Sequence, residues 1–153
     1  MLVSMPHRLR EADRKPVLRS KTMQDTAITV VRELFECALL SPELDESRLA
    51  RLVHPDYRQQ ADGRNLDYPA FVRHLRHLKR ECSRVGLEIL SWAEQGERLF
   101  TRHLVTADKR DGGQVRMLVI AEFCVRDGMV RACDELTHML GGAAEDRDLG
   151  SRY

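Results

Sequence analysis

The apolar pattern of this chain changes period once, near Gly86. Before that point apolar residues recur at intervals of three and four; after it they recur at every second position. These are the repeats of a helix with one buried face and of a strand with one buried face. Ile28, Val31, Leu34, Phe35, Ala38 and Leu39 form one helical face, with Asp25 in position to cap it. Ser41-Pro42 reads as the end of that helix and as the cap and first position of a short second one. The second helix carries Leu44, Leu49, Leu52 and Val53, and His54-Pro55 stops it. Asp56–Asn65 reads as a loop or short strand closed by Asp62-Gly63. A third helix begins near Asp67 and presents Phe71, Leu75, Leu78 and Cys82 as a stripe.

Beyond Gly86, "LEILSWAE", "RLFTRHLVTA", "VRMLVIAEFCV" and "VRACDELTHML" read as four strands. Gln95-Gly96-Glu97, Asp111-Gly112-Gly113 and Asp127-Gly128 separate them as hairpin turns. Three helices followed by an antiparallel meander make an α+β fold. Such a twisted sheet, packed on one face by the helices, curls into a cone around a central pocket. "RMLVIAEFCV" is apolar at nearly every position, whereas a sheet wet on one side alternates. Both faces are therefore expected to be covered, one by the helices and the outer one by a second copy of the chain, as a homodimer.

The 153 residues suit one domain. A net charge of +1 is too balanced for a dedicated nucleic-acid surface, and no run approaches the ~20 apolar residues of a membrane span. Neither nucleic acid nor membrane is expected as a partner. Cys37, Cys82, Cys124 and Cys133 form no CxxC pair and sit within apolar runs. They read as buried, reduced thiols, which implies a cytoplasmic location. His74 and His77 lie three apart on the third helix, but no nearby acid completes a metal motif, so no metal is expected. Residues 1–21 are basic, contain two prolines and lack periodicity. They read as a disordered arm ahead of a domain over 22–142, and Met23 opens a better boundary than Met1. Residues 143–153 read as a polar tail that orders only by wrapping the body or a partner.

The order helix, helix, His54-Pro55-Asp56-Tyr57, helix, then Gly96 ahead of "RLFTRHLVTA" and "FCVRDGMV" (Phe123–Val130) resembles the nuclear transport factor 2-like superfamily. It is most similar to the SnoaL-like and ketosteroid-isomerase-like branches, over about Asp25 to Leu140. The resemblance implies a conical, mostly apolar small-molecule pocket and no cofactor. It does not imply one activity, because this fold hosts isomerases, cyclases, epoxide hydrolases, dehydratases and binders. From the epoxide-hydrolase branch, a Tyr-x-Asn pair matches Tyr57-x-Gln59, an Arg-x-Asp pair falls on His103-x-Val105, and the acid of the last strand falls on Glu135. Val105 replaces one acid of a two-carboxylate relay, and Ala121 stands where the isomerase branch has an oxyanion donor. Neither mechanism transfers whole.

Asp134 and Glu135 are adjacent, so on a strand they face opposite ways. A two-residue turn at Asp127-Gly128 pairs Ile120 with Glu135. A three-residue turn over Arg126-Asp127-Gly128 with a glycine bulge pairs Val119 with Glu135. Glycine in the third position favours the latter. Met117, Val119, Ala121 and Phe123 then share a face with Cys133, Glu135 and Thr137, and by resemblance that face is the cavity side. Glu135 becomes the one acid among apolar walls, where burial raises a carboxyl pKa and a neighbouring cation lowers it. His103 is the candidate neighbour. Glu135 and His103 are the candidate catalytic pair; the other reading has them simply satisfying each other. Tyr57, Gln59, Trp92, Val119, Phe123, Cys133 and Thr137 are candidate substrate contacts, with Tyr57 equally readable as core. Two functions remain. One is cofactor-free acid–base catalysis (isomerase, cyclase, dehydratase or hydrolase type) on a small apolar carbonyl or hydroxyl compound. The other is a non-catalytic binding or dimerisation module with the same pocket.

Overall fold

The computed structural model describes residues 26–153. The basic arm and the Asp25 cap fall outside them. Helix α1 (Ala27–Phe35) starts with Thr26 in the cap position and runs into a π-helical turn, Glu36–Leu40. The carbonyls at the end of that turn are not orphaned: Lys79 Nζ donates to Leu39 O at 2.8 Å and also to Ser41 O. Helix α2 (Glu46–Leu52) begins later than Ser41-Pro42 suggested. Its cap is Asp45, whose carboxylate accepts the Arg48 N–H at 2.9 Å, and an acid there also favours the helix N-terminus. Helix α3 (Tyr68–Glu81) is capped by Asp67, which accepts the Ala70 N–H at 2.9 Å. Its stripe buries Phe71, Leu75 and Leu78, with His74 beside them.

The sheet has six strands, not four. They are β1 (Val53–Ala61), β2 (Arg64–Asp67), β3 (Cys82–Gln95), β4 (Arg98–Lys109), β5 (Gln114–Arg126) and β6 (Met129–Gly141), in the order β2-β1-β6-β5-β4-β3. The sheet is mixed, because β1 runs parallel to β6 with Gln59 beside Cys133 and Ala61 beside Glu135. Helix α2 ends at Leu52, just ahead of His54-Pro55, and the pair itself lies in the first strand. Asp62 and Gly63 turn β1 into β2 with φ of 50° and 82°, the left-handed pair that a tight hairpin needs. Three helices against one face of this curved, open sheet give the α+β architecture expected from the sequence. The four cysteines are free thiols.

The last hairpin combines features of both turns considered. Asp127 and Gly128, with φ of 52° and 72°, make a two-residue turn in which Val125 pairs with Val130. A bulge then follows: Cys124 pairs with Ala132, so Arg131 is the extra residue. The bulge advances the register by one. Ala121 consequently faces Glu135, Val119 faces Thr137 and Phe123 faces Cys133. Glu135 shares the inner face, as expected, but a bulge after a two-residue turn puts it there, not a three-residue turn.

The outer face is bare in the single chain. Arg102, Ile120 and Leu136 lie in one cross-strand row, and Ile120 and Leu136 remain 57% and 66% exposed. Residues after Gly142 fold back over the body. A 3-10 turn (Ala144–Asp146) leads to Leu149, which joins the main core.

Candidate functional site

The inner face of the sheet, α1, α3 and the C-terminal segment enclose a cavity of about 110 Å³. A space of that size suits a ring-sized ligand. Leu34 and Phe35 of α1 and Leu75 and Leu78 of α3 cover one side. Met117, Val119 and Phe123 form the sheet side. Phe35 packs edge-on against Phe123 with ring centroids 5.7 Å apart. Among the described residues, no Lys or Arg lines the cavity.

Of the residues singled out in the sequence, Glu135, His103, Tyr57, Gln59, Val119, Phe123, Cys133 and Thr137 all line this cavity. Trp92 does not. It sits on the edge strand β3 opposite Thr101 and is 48% exposed. Thr137 lines the wall, but its hydroxyl and its N–H both donate to the Asp62 carboxylate. It therefore anchors β6 to the β1–β2 turn and offers the cavity little polarity.

Strand alternation builds the polar end. Tyr57 and Gln59 are two apart on β1, so both point inward. The parallel pairing with β6 sets Gln59 beside Cys133, one inward position from Glu135 and within reach of it. Tyr57 OH donates to Gln59 Oε1 at 3.3 Å, and Gln59 Nε2 donates to Glu135 Oε1 at 3.0 Å. Cys133 Sγ lies 3.8 Å from Glu135 Oε2, a weak thiol contact. Burial among these walls raises the Glu135 carboxyl to about 7; the Gln59 bond, which favours the charged form, opposes that rise. Burial also pushes the Tyr57 hydroxyl and the Cys133 thiol well above their ordinary values. Both are neutral hydrogen-bonding groups near pH 7.

His103 is buried on β4, with its ring 5.0 Å from that of Phe35. Burial lowers its pKa to about 4, so the imidazole is neutral. It does not pair with Glu135. The register aligns His103 with Val119 and Thr137. Two strand spacings and a two-residue offset thus put the two Cα positions roughly 12 Å apart. The carboxyl is bonded by Gln59 and the imidazole Nδ1 by Thr101, at 3.0 Å. The two groups face one cavity from different walls, with space between them.

The sequence allowed residues 143–153 to order by wrapping the body, but did not place them on the cavity wall. Leu149 and Gly150 line the cavity. His74, also on the wall, holds the Arg152 carbonyl at 2.7 Å through Nδ1. Asp146 is buried and bonds Lys109 Nζ at 3.0 Å and Arg152 Nη2 at 3.2 Å. Arg152 also reaches Glu81 at 2.5 Å. The available signal was one apolar residue, Leu149, isolated in a polar stretch. Val105, at the position of the missing acid, is also a wall residue. Among the described residues, no group of three or more His, Cys, Asp or Glu side chains is arranged to hold a metal ion.

Residues 31–133 match the family model described as the SnoaL-like domain. This chain belongs to the SnoaL-like family. An uncharacterised Schizosaccharomyces pombe protein, C11D3.04c, is 33% identical over 129 residues, spanning 84% of this chain and 98% of its own. Among solved structures, AclR from Streptomyces galilaeus, a candidate hydroxylase, superposes with a TM-score of 0.64 at 17% identity, covering 81% of this chain and 80% of its own. IdmH from Streptomyces antibioticus, a candidate polyketide cyclase, gives 0.63 at 14% identity, covering 73% and 91%. An NTF2-like protein from an Exiguobacterium species gives 0.61 at 16%, covering 72% and 98%. These low-identity likenesses show the nuclear transport factor 2-like fold, within which this SnoaL-like chain sits. No helix among the described residues is long and apolar enough to cross a membrane.

Proposed function

We propose that this SnoaL-like protein binds a small, uncharged, largely apolar carbonyl or hydroxyl compound and moves a proton on it through Glu135, without a cofactor. The observation that carries this reading is a carboxyl raised to about 7 at the polar end of an otherwise apolar cavity. A group titrating there can both take and return a proton near neutral pH. Among the described residues no Lys or Arg on the wall would meet a carboxylate or phosphate of the ligand, which favours an uncharged one. Tyr57 and Gln59 hold the carboxyl in place, and His103 faces the ligand from the β4 wall. Proton removal beside a carbonyl serves isomerisation, cyclisation and dehydration alike. The cyclase description of IdmH fits that range.

A library of small ketones, enols and phenols screened by thermal shift, with each stabilising compound then followed for chemical change, tests the proposal. Glu135→Gln should keep the fold and lose turnover of any compound converted. Full turnover by that variant excludes Glu135 as the proton carrier.

A second reading, a binder that converts nothing, draws on one observation: Val105 occupies the place of a second acid. Compounds that stabilise the protein and are not converted support it. In either case, we propose a cytoplasmic homodimer in which a second copy covers the exposed Ile120 and Leu136.

A further inference from the structure

Thr101 and His103 are successive inward positions on β4, and both are buried. Thr101 Oγ1 and His103 Nδ1 are 3.0 Å apart, a separation that allows either atom to donate. The surroundings decide which one does. Among the described residues the Thr101 hydroxyl has no other hydrogen-bond partner, and His103 Nε2 has none at all. A buried hydroxyl can leave a lone pair idle, but its hydrogen needs an acceptor. A neutral imidazole carries one hydrogen, on one nitrogen only. If Nδ1 carried it, the Thr101 O–H would point at an N–H with nowhere to donate. If Nε2 carries it, the hydroxyl donates to Nδ1, and the one hydrogen left over is the Nε2–H of a cavity-lining ring, which a ligand or water in the cavity can take. Phe35, stacked at a tilt against the imidazole, holds the ring in the plane that makes this bond.

We propose that Thr101 is a positioning residue that fixes His103 as its Nε2–H tautomer, so that the β4 wall presents a neutral hydrogen-bond donor to the cavity. The imidazole keeps that form down to about pH 4. A neutral N–H donor of this kind does not take a proton from the ligand. It favours an acceptor oxygen, and most strongly one gaining negative charge. Resting on the proposed function, this narrows the ligand to a carbonyl compound with its oxygen toward His103. Glu135 takes the proton from the carbon next to the carbonyl. The C–H electron pair becomes the new carbon–carbon double bond, and the carbonyl electrons move onto the oxygen that His103 holds. The proton returns from Glu135 to a different atom.

Long-range proton–nitrogen correlation spectra of the full chain, labelled with nitrogen-15 histidine, read the tautomer directly at pH 7 without added ligand. The His103 signals are identified by their loss in His103→Gln. The expected pattern is a protonated Nε2 and an unprotonated Nδ1. Thr101→Ser should keep the pattern, and Thr101→Val should shift the ring toward the Nδ1–H form. A wild-type ring protonated at Nδ1, or a folded Thr101→Val protein with the wild-type pattern, overturns the inference. Should Thr101→Val not fold, the wild-type pattern alone decides. No substrate enters this measurement, so a failure of Glu135→Gln to abolish turnover would leave its outcome untouched.

Discussion

Gln59 Nε2 donates to Glu135 Oε1 at 3.0 Å across the parallel seam between β1 and β6. The bond favours the charged carboxylate in surroundings that otherwise penalise it. Replacing Gln59 with Leu removes that opposition, so the Glu135 midpoint should move above about 7. The Tyr57 hydroxyl also loses its acceptor, and an unsatisfied buried hydroxyl costs about 1–3 kcal/mol. Carboxyl-detected NMR titration and denaturant unfolding read the two effects separately.

Glu135 also ties stability to pH. In the fold it keeps its proton to about pH 7, against an ordinary value of 4.5. Between those values the folded chain binds more protons than the unfolded one, so stability falls as pH rises. The contribution is fully present below pH 4.5 and lost as pH passes 7. The difference amounts to about 3 kcal/mol. Glu135→Gln should therefore gain stability over wild type by up to that amount between pH 4.5 and 8. Parallel unfolding curves for the two proteins would show the gap opening, and no pH-dependent gap would count against the shift.

The closing segment should behave as part of the core. Leu149 is buried and lines the cavity. Leu149→Ala should cost about 2–5 kcal/mol, as for other large-to-small changes in a core. Asp146→Asn, which leaves Lys109 and Arg152 without their buried acid, should raise amide exchange over residues 143–153 while the sheet stays protected. Hydrogen-exchange mass spectrometry resolves the two regions.

Ile120 and Leu136 stand side by side on the outer face. If a second copy covers them, Ile120→Arg with Leu136→Arg should turn a dimer into a folded monomer. Sedimentation velocity at micromolar concentration distinguishes the two, and a wild-type monomer contradicts the proposed dimer.

Much of this was legible in the sequence because the patterns that matter are periodic. The α3 stripe, the four long strands and the common face of Val119, Phe123, Cys133 and Glu135 follow from spacing; that this face is the inner one was implied by the family resemblance. Three features did not. Strand β1 carries Gln59 at an inward position, and a polar residue there breaks the alternation that marks a strand. The Arg131 bulge is a local change in twist with no residue type of its own; the expected inward face survived only because turn and bulge together shift the register by an even number. The distance between His103 and Glu135 depends on the register of three strands, which no single-strand pattern contains.

The proposed function rests on Glu135 being a cavity carboxyl that exchanges its proton near neutrality. A titration of the protein labelled with carbon-13 at glutamate side-chain carboxyls, with the Glu135 signal assigned by its loss in Glu135→Gln, measures this in the folded chain. The expected midpoint is about 7. A midpoint near 4.5, the value of an ordinary solvated glutamate, would contradict it.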